Sequence, residues 1–190
     1  MSLLTLQNLS FSFPKRVVFS ELSLNAQNAA LVVGRNGVGK TTLLRMTAHL
    51  LSPVSGSIWL DGREHYTASA FFTSSIVLEE KSVLDHIKWL ARWTGSVNVD
   101  EALSLSGLGD LAESPARALS CGQKQLLSLA MACFMPSDLF IADEPFSHLD
   151  AVSRERACAL LEKTSRERFV LLASTQKERL PFEAVLWELT

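Results

Sequence analysis

Gly34-Arg35-Asn36-Gly37-Val38-Gly39-Lys40-Thr41 carries the pattern G-x-x-x-x-G-K-[ST], and its flanks decide how it folds. Just before it, Ala29-Ala30-Leu31-Val32-Val33 is a short, continuous apolar run, which predicts a buried parallel strand. Just after it, Thr41-Thr42-Leu43-Leu44-Arg45-Met46 predicts the start of a helix. Strand, glycine-rich turn and helix in that order make an anion cradle. Gly34, Gly37 and Gly39 let the backbone turn tightly and aim several N–H groups at one point. The helix opening at Lys40 adds its positive dipole end. Lys40 is expected to reach the β- and γ-phosphates of a nucleotide and the Thr41 hydroxyl to ligate Mg²⁺, with Asn36 and Thr42 completing the phosphate-binding set.

The rest of the composition is permissive. The chain has 190 residues, 47% of them hydrophobic and 20% charged, enough for one domain with a substantial core. A formal charge of −2 gives no steering towards nucleic acid or anionic lipid. No stretch reaches the ~20 apolar residues of a membrane span, and no basic segment followed by an apolar run marks a secretory signal. Cys121, Cys133 and Cys158 form no CxxC pair, which suits a reducing compartment rather than a disulfide framework or zinc site. His49, His65, His86 and His148 are scattered and suggest no metal cluster.

Along the chain, strands alternate with helices. Residues 3–33 predict short strands with turns at Ser12–Lys15 and Asn25–Asn28. A helix over 40–51 is expected to stop before Pro53, with a strand at Ile58-Trp59-Leu60 closed by the Asp61-Gly62 turn. Residues 63–81 carry only a weak pattern. Ser82, with Asp85 three positions on, is a helix N-cap signature for 82–93. A short helix over 100–106 is broken by Gly107 and Gly109, and another starts near Ser120 and stops at Pro136-Ser137. A buried strand at Leu139–Ala142, a helix over 151–167 and a strand at Phe169–Ser174 complete a βα alternation, which calls for a mostly parallel sheet. The expected division is a single domain over 1–190, with a core at about 1–72 and 123–190 and a helical insertion at about 73–122. On the 82–93 helix, His86, Trp89 and Trp93 form a second stripe off the main apolar face. Either at least one indole packs against the core, or the stripe is a contact surface.

Asp143 falls at the carboxyl end of its predicted strand, where ligand sites of parallel sheets cluster, and a carboxylate there can hold Mg²⁺. Glu144 beside it is placed to polarise a water for attack on a γ-phosphate. Leu119-Ser120-Cys121-Gly122-Gln123 lies shortly before this acidic pair. With these motifs the chain resembles the nucleotide-binding subunit of ABC (ATP-binding cassette) transporters, over nearly its whole length. Leu119–Gln123 resembles the family's signature sequence, with Cys121 in place of a small residue. Asp143-Glu144-Pro145 and Ser147-His148-Leu149-Asp150 resemble its Walker B segment and D-loop, and Phe13 lies where an aromatic stacks on adenine.

The resemblance implies an α/β phosphate-loop NTPase with a mostly parallel core, an antiparallel N-terminal β part and a short helical insertion. It implies ATP and Mg²⁺ as ligands and two cassettes facing head to tail, as a homodimer or a paired cassette. Each ATP would lie between one phosphate loop and the other subunit's Ser120, Gly122 and Gln123. It implies an integral membrane permease as partner, no direct nucleic-acid binding, and a peripheral location on the cytoplasmic side of the inner membrane. Two positions depart from the family's pattern. Gln176 stands where a histidine contacts the γ-phosphate, and Ser74 is the nearest candidate where a glutamine contacts Mg²⁺ and the attacking water. Both departures touch the γ-phosphate sensors and spare the binding set, so binding is expected intact and hydrolysis slow. With fourteen residues after Gln176, no second cassette is expected, and the size resembles the haem-exporter ATPase of bacterial cytochrome c maturation. The alternative function is an ABC-type regulatory or assembly ATPase with weak hydrolysis.

Overall fold

Apolar residues fill both faces of the central strands, so these strands must lie between two other layers. The computed structural model describes residues 1–71 and 77–190. A sheet in the order β5(Ala68–Phe71), β6(Leu139–Asp143), β7(Phe169–Ser174), β3(Ala29–Val33), β8(Val185–Glu188) is parallel at every pairing. Phe140 and Ala142 of β6, and Val170 and Leu172 of β7, enter one apolar cluster; Leu139, Ile141, Phe169 and Leu171 enter the other. This period of two along fully buried strands is why they read as unbroken apolar runs.

The first cluster lies under helices α2(Val83–Thr94), α3(Val99–Ser106), α4(Cys121–Phe134) and α5(Ala151–Glu167). Val83 and Ile87 of α2 share it with Leu127, Leu160 and Leu172, so α2 has no separate core. The second cluster lies between the parallel sheet, helix α1(Lys40–Thr47) and an antiparallel sheet ordered β2(Arg16–Gln27), β1(Leu3–Phe13), β4(Ser55–Leu60). Among the described residues no helix is long and apolar enough to cross a membrane.

Local signals explain the helix starts. Ser82 and Asp85 form a reciprocal capping box on α2, with Asp85 N–H on Ser82 Oγ at 3.0 Å and Ser82 N–H on Asp85 Oδ2 at 3.2 Å. Gly95 closes that helix in the left-handed region.

Several boundaries differ from expectation. The N-terminal region forms two long strands in one hairpin, and the second runs on to Gln27, leaving Asn28 (φ 59°) as the turn into β3. Helix α1 stops at Thr47 instead of 51. His49 turns left-handed (φ 56°), while Leu50 N–H reaches Arg45 O and His49 N–H reaches Met46 O, a Schellman ending that contains no glycine. Strand β4 begins at Ser55, since pairing with β1 extends it back through Ser57↔Gln7 and Ser55↔Ser10. No pattern in the sequence predicts strands β5 and β8. Trp89 and Trp93 are 58% and 66% exposed and stack on each other at 6.1 Å, so neither indole packs into the core. His86 leaves their stripe. It is buried, accepts from Leu78 N–H through Nε2 (2.9 Å) and so donates from Nδ1 to Ser82 O (2.7 Å).

Two glycines with positive φ separate backbone strain from close approach. At Gly56 (φ 88°) a Cβ would lie 2.4 Å from the Asn8 carbonyl oxygen, whereas at Gly62 (φ 73°) it would meet nothing. Gly62→Ala is expected to carry only the left-handed penalty of about 1 kcal/mol, a Tm loss of roughly 3 °C for a chain of this size. Gly56→Ala adds the collision with β1 and is expected to lower Tm by roughly 6 °C or more. Equal losses in thermal melting would contradict this account of the β1–β4 contact.

Candidate nucleotide site

Three adjacent strands, β6, β7 and β3, end along one edge of the parallel sheet, in register through Asp143↔Ala173 and Ser174↔Val33. The segment after each strand carries the chemistry. After β3 the chain runs through Gly34–Gly39 into α1, with Gly37 and Gly39 at φ 81° and 117°. A side chain at Gly39 would come within 2.6 Å of Val18 Cγ1, so the loop also lies hard against β2. A Cβ at Gly34 would lie 2.6 Å from Leu189 O. Asn36 and Gly37 are exposed along the loop, and Thr42 is half-buried in the first turn of α1.

Lys40 is 6% exposed. Its Nζ donates to Gly34 O (2.8 Å) and Arg35 O (3.3 Å) and lies 3.9 Å from Glu144 Oε1. One ammonium thus spans the loop and the acid that follows β6. The Thr41 hydroxyl donates to Asp143 Oδ2 at 2.5 Å, across 102 residues of sequence. A hydroxyl and a buried carboxylate meeting at the loop's helical end fit Mg²⁺, which takes a few protein oxygens and leaves the other positions to phosphate and water. Ser74, the third expected metal contact, lies outside the described residues.

Glu144 sits at a sharp turn with φ 50°. The turn is held by Glu144 N–H on Ala173 O (2.9 Å) and by Ser147 N–H and Oγ–H on Glu144 O (3.1 and 2.9 Å). A side chain that would have continued along β6 is thereby aimed back at Lys40. Burial pushes the Glu144 carboxyl above its ordinary pKa; Lys40 opposes the shift and Asp143 adds to it. A more basic carboxylate is the better proton acceptor.

The remaining expected residues divide by place. Gln176 is exposed on the turn after β7, and its N–H donates to Ser174 Oγ at 3.4 Å. Phe13 stands half-exposed at the tip of the β1–β2 hairpin, edge-on to Phe11 at 5.1 Å. Ser120 caps α4, with Gln123 N–H on Ser120 Oγ (3.2 Å) and Ser120 N–H on Gln123 Oε1 (2.9 Å). At Gly122 a Cβ would make only ordinary contacts, 3.6 Å from Ser153 Oγ, so the chain's own packing does not demand glycine there. Among the described residues, no hydrogen bond or ion pair joins Ser120–Gln123 to the phosphate loop.

Sequence reasoning passed over Arg16. It is the cross-strand partner of Phe13, and its Nη2 donates to Gly37 O at 2.6 Å, tying the hairpin tip to the phosphate loop. An arginine directly after a hairpin turn gives no signal of that contact, because it depends on where a distant loop lands. Arg16→Ala is expected to weaken binding of a fluorescent ATP analogue about fivefold, the scale of one hydrogen bond at an exposed site. Unchanged affinity in equilibrium titration would show that the tie contributes nothing.

Comparison with known proteins agrees with this geometry. The family description "ABC transporter" matches residues 19–147. The taurine import ATP-binding protein of Pseudomonas aeruginosa is 32% identical over 197 residues, covering 93% of this chain and 75% of that protein. The cytochrome c biogenesis ATP-binding export protein of Zymomonas mobilis is 33% identical over 164 residues, covering 83% and 71%. A solved Pyrococcus furiosus protein described as an ABC transporter ATP-binding protein shares the fold, with TM-score 0.82, 24% identity and coverage of 98% and 97%. With the phosphate loop and the acidic pair converging on one sheet edge, this chain belongs to the ABC transporter family as an ATP-binding domain.

Proposed function

We propose that the chain is the ATPase subunit of a transport complex, peripheral on the cytoplasmic side of the inner membrane, and that it acts as a dimer on a separate membrane permease. The observation that carries this reading is the signature segment. Ser120–Gln123 is built as a helix N-terminus, offers a glycine that its own fold does not need, and stands apart from the chain's own phosphate loop. A γ-phosphate held by a second copy's loop would satisfy that helix end.

In this mechanism the loop amides and Lys40 bind the β- and γ-phosphates, while Phe13 offers its ring face to adenine. Thr41 and Asp143 would hold Mg²⁺, which neutralises charge developing on the phosphate oxygens. Glu144 takes a proton from the water that attacks the γ-phosphorus. Closure is favoured only while ATP bridges both copies, so hydrolysis releases it. Trp89, which stacks on Trp93, borders with Leu78 and Met131 a 440 Å³ groove flanked by Lys81, Lys88 and Arg92. Exposed stacked indoles beside cations support permease docking on that face.

The cargo is a separate matter. Haem export rests on the likeness to the cytochrome c biogenesis export protein, and the taurine import protein matches equally well. The nucleotide site does not touch the cargo and favours neither.

Gln176 supplies a neutral donor where a charged or longer-reaching group would grip the γ-phosphate, so turnover is expected to be slow. Gln176→His should raise steady-state hydrolysis of the purified protein about tenfold or more, and Glu144→Gln should abolish it, in line with the weight of one transition-state contact. Fast wild-type turnover that Gln176→His leaves unchanged would overturn the slow-hydrolysis reading.

A further inference from the structure

Glu178 is an acid with a mostly buried side chain, outside the set that binds phosphate and activates water. Its side chain is 8% exposed, and it is ion-paired with Arg154 of α5 at 2.5 Å. The Arg154 guanidinium in turn lies 4.4 Å over the ring of Phe146, in the segment that follows Glu144. The pair therefore ties the segment after β7 to α5 and to the segment after Glu144.

Between Glu178 and Glu144 stands one hydroxyl. Ser174 Oγ, 2% exposed, is 3.1 Å from Glu178 Oε1 and 3.3 Å from Glu144 Oε2, and it accepts the N–H of Gln176 at 3.4 Å. A serine hydroxyl has one proton, so it can donate to one of the two carboxylates at a time. Whichever carboxylate receives it has one of its lone-pair sites taken.

We infer that Glu178 is a positioning residue for hydrolysis: by drawing the Ser174 proton to itself, it leaves the Ser174-facing lone pair of Glu144 Oε2 open to the proton of the attacking water. The water oxygen bonds to the γ-phosphorus, the bond to the ADP oxygen breaks, and the water's proton passes to Glu144. A hydroxyl donating to that oxygen would compete with the water for its lone pairs, and hydrogen bonds to a charged acceptor are the stronger kind. Arg154 holds the Glu178 carboxylate in place beside Ser174.

The inference rests on Glu144 being the base, and the experiment separates the two. Single-turnover hydrolysis and Mg–ATP affinity are measured for wild type, Glu144→Gln, Glu178→Gln, and Glu178→Gln with Ser174→Ala. In Glu178→Gln the amide donates to Ser174 Oγ, which turns the hydroxyl proton onto Glu144. Hydrolysis should slow about tenfold with ATP affinity unchanged. Adding Ser174→Ala removes the blocking hydroxyl and should restore most of the lost rate. A merely structural loss would not be restored by a second truncation. If Glu178→Gln fails to fold, the same comparison is run in Glu178→Gln with Arg154→Met, which leaves no unpaired cation. Normal hydrolysis by Glu144→Gln would overturn the base and this inference with it. A silent Glu144→Gln beside an unaffected Glu178→Gln, or an unrestored double variant, would overturn this inference alone.

Discussion

The parallel register of β6, β7 and β3 is the constraint on which the site depends. Because Asp143 pairs with Ala173 and Ser174 pairs with Val33, the acidic pair, the turn that carries Gln176 and the phosphate loop all begin from one line across the sheet. Shifting any of these strands by one residue would turn its buried set to the opposite face. The apolar clusters above and below the sheet oppose such a slip, since Phe140 and Ile141 are each fully buried on opposite sides. The geometry of Lys40, Thr41, Asp143 and Glu144 is thus maintained by packing many residues away from any phosphate.

Rigidity at that edge is reinforced locally. Glu144 adopts a positive φ that a non-glycine residue takes only when its surroundings hold it there, and three backbone or hydroxyl contacts do so. Lys40 is held by carbonyls of its own loop, and β2 closes over Gly39. An anion entering the loop meets preset amides and a preset ammonium, which keeps the ordering cost of binding low. The Arg154–Glu178 pair extends the same stiffness outward from Ser174 to α5 and Phe146.

What the sequence reveals follows from how local each feature is. The phosphate loop, the capping boxes at Ser82 and Ser120, and the buried strands β3, β6 and β7 are set by neighbours in the chain and can be read directly. Strand β8 has one buried residue, Trp187, in a four-residue edge strand, so neither length nor alternation betrays it; it exists because β3 offers a free edge. The ending of α1 is hidden for a related reason, a histidine taking the left-handed position where glycine is the readable sign. Arg16 reaches Gly37, 21 residues on, and Glu178 pairs with Arg154 of α5, so no spacing rule reveals either contact. The exposed Trp pair reads equally as core or surface until the face of α2 is known.

The central claim is that ATP joins two copies by bridging one phosphate loop to the other copy's Ser120–Gln123. Sedimentation velocity of the Glu144→Gln protein with Mg–ATP tests it most directly, since bound ATP should then persist. The account predicts a dimer with Mg–ATP, a monomer with Mg–ADP, and loss of the ATP dimer on adding Ser120→Arg. A monomer in all three conditions, or a dimer indifferent to nucleotide and to Ser120→Arg, would contradict it.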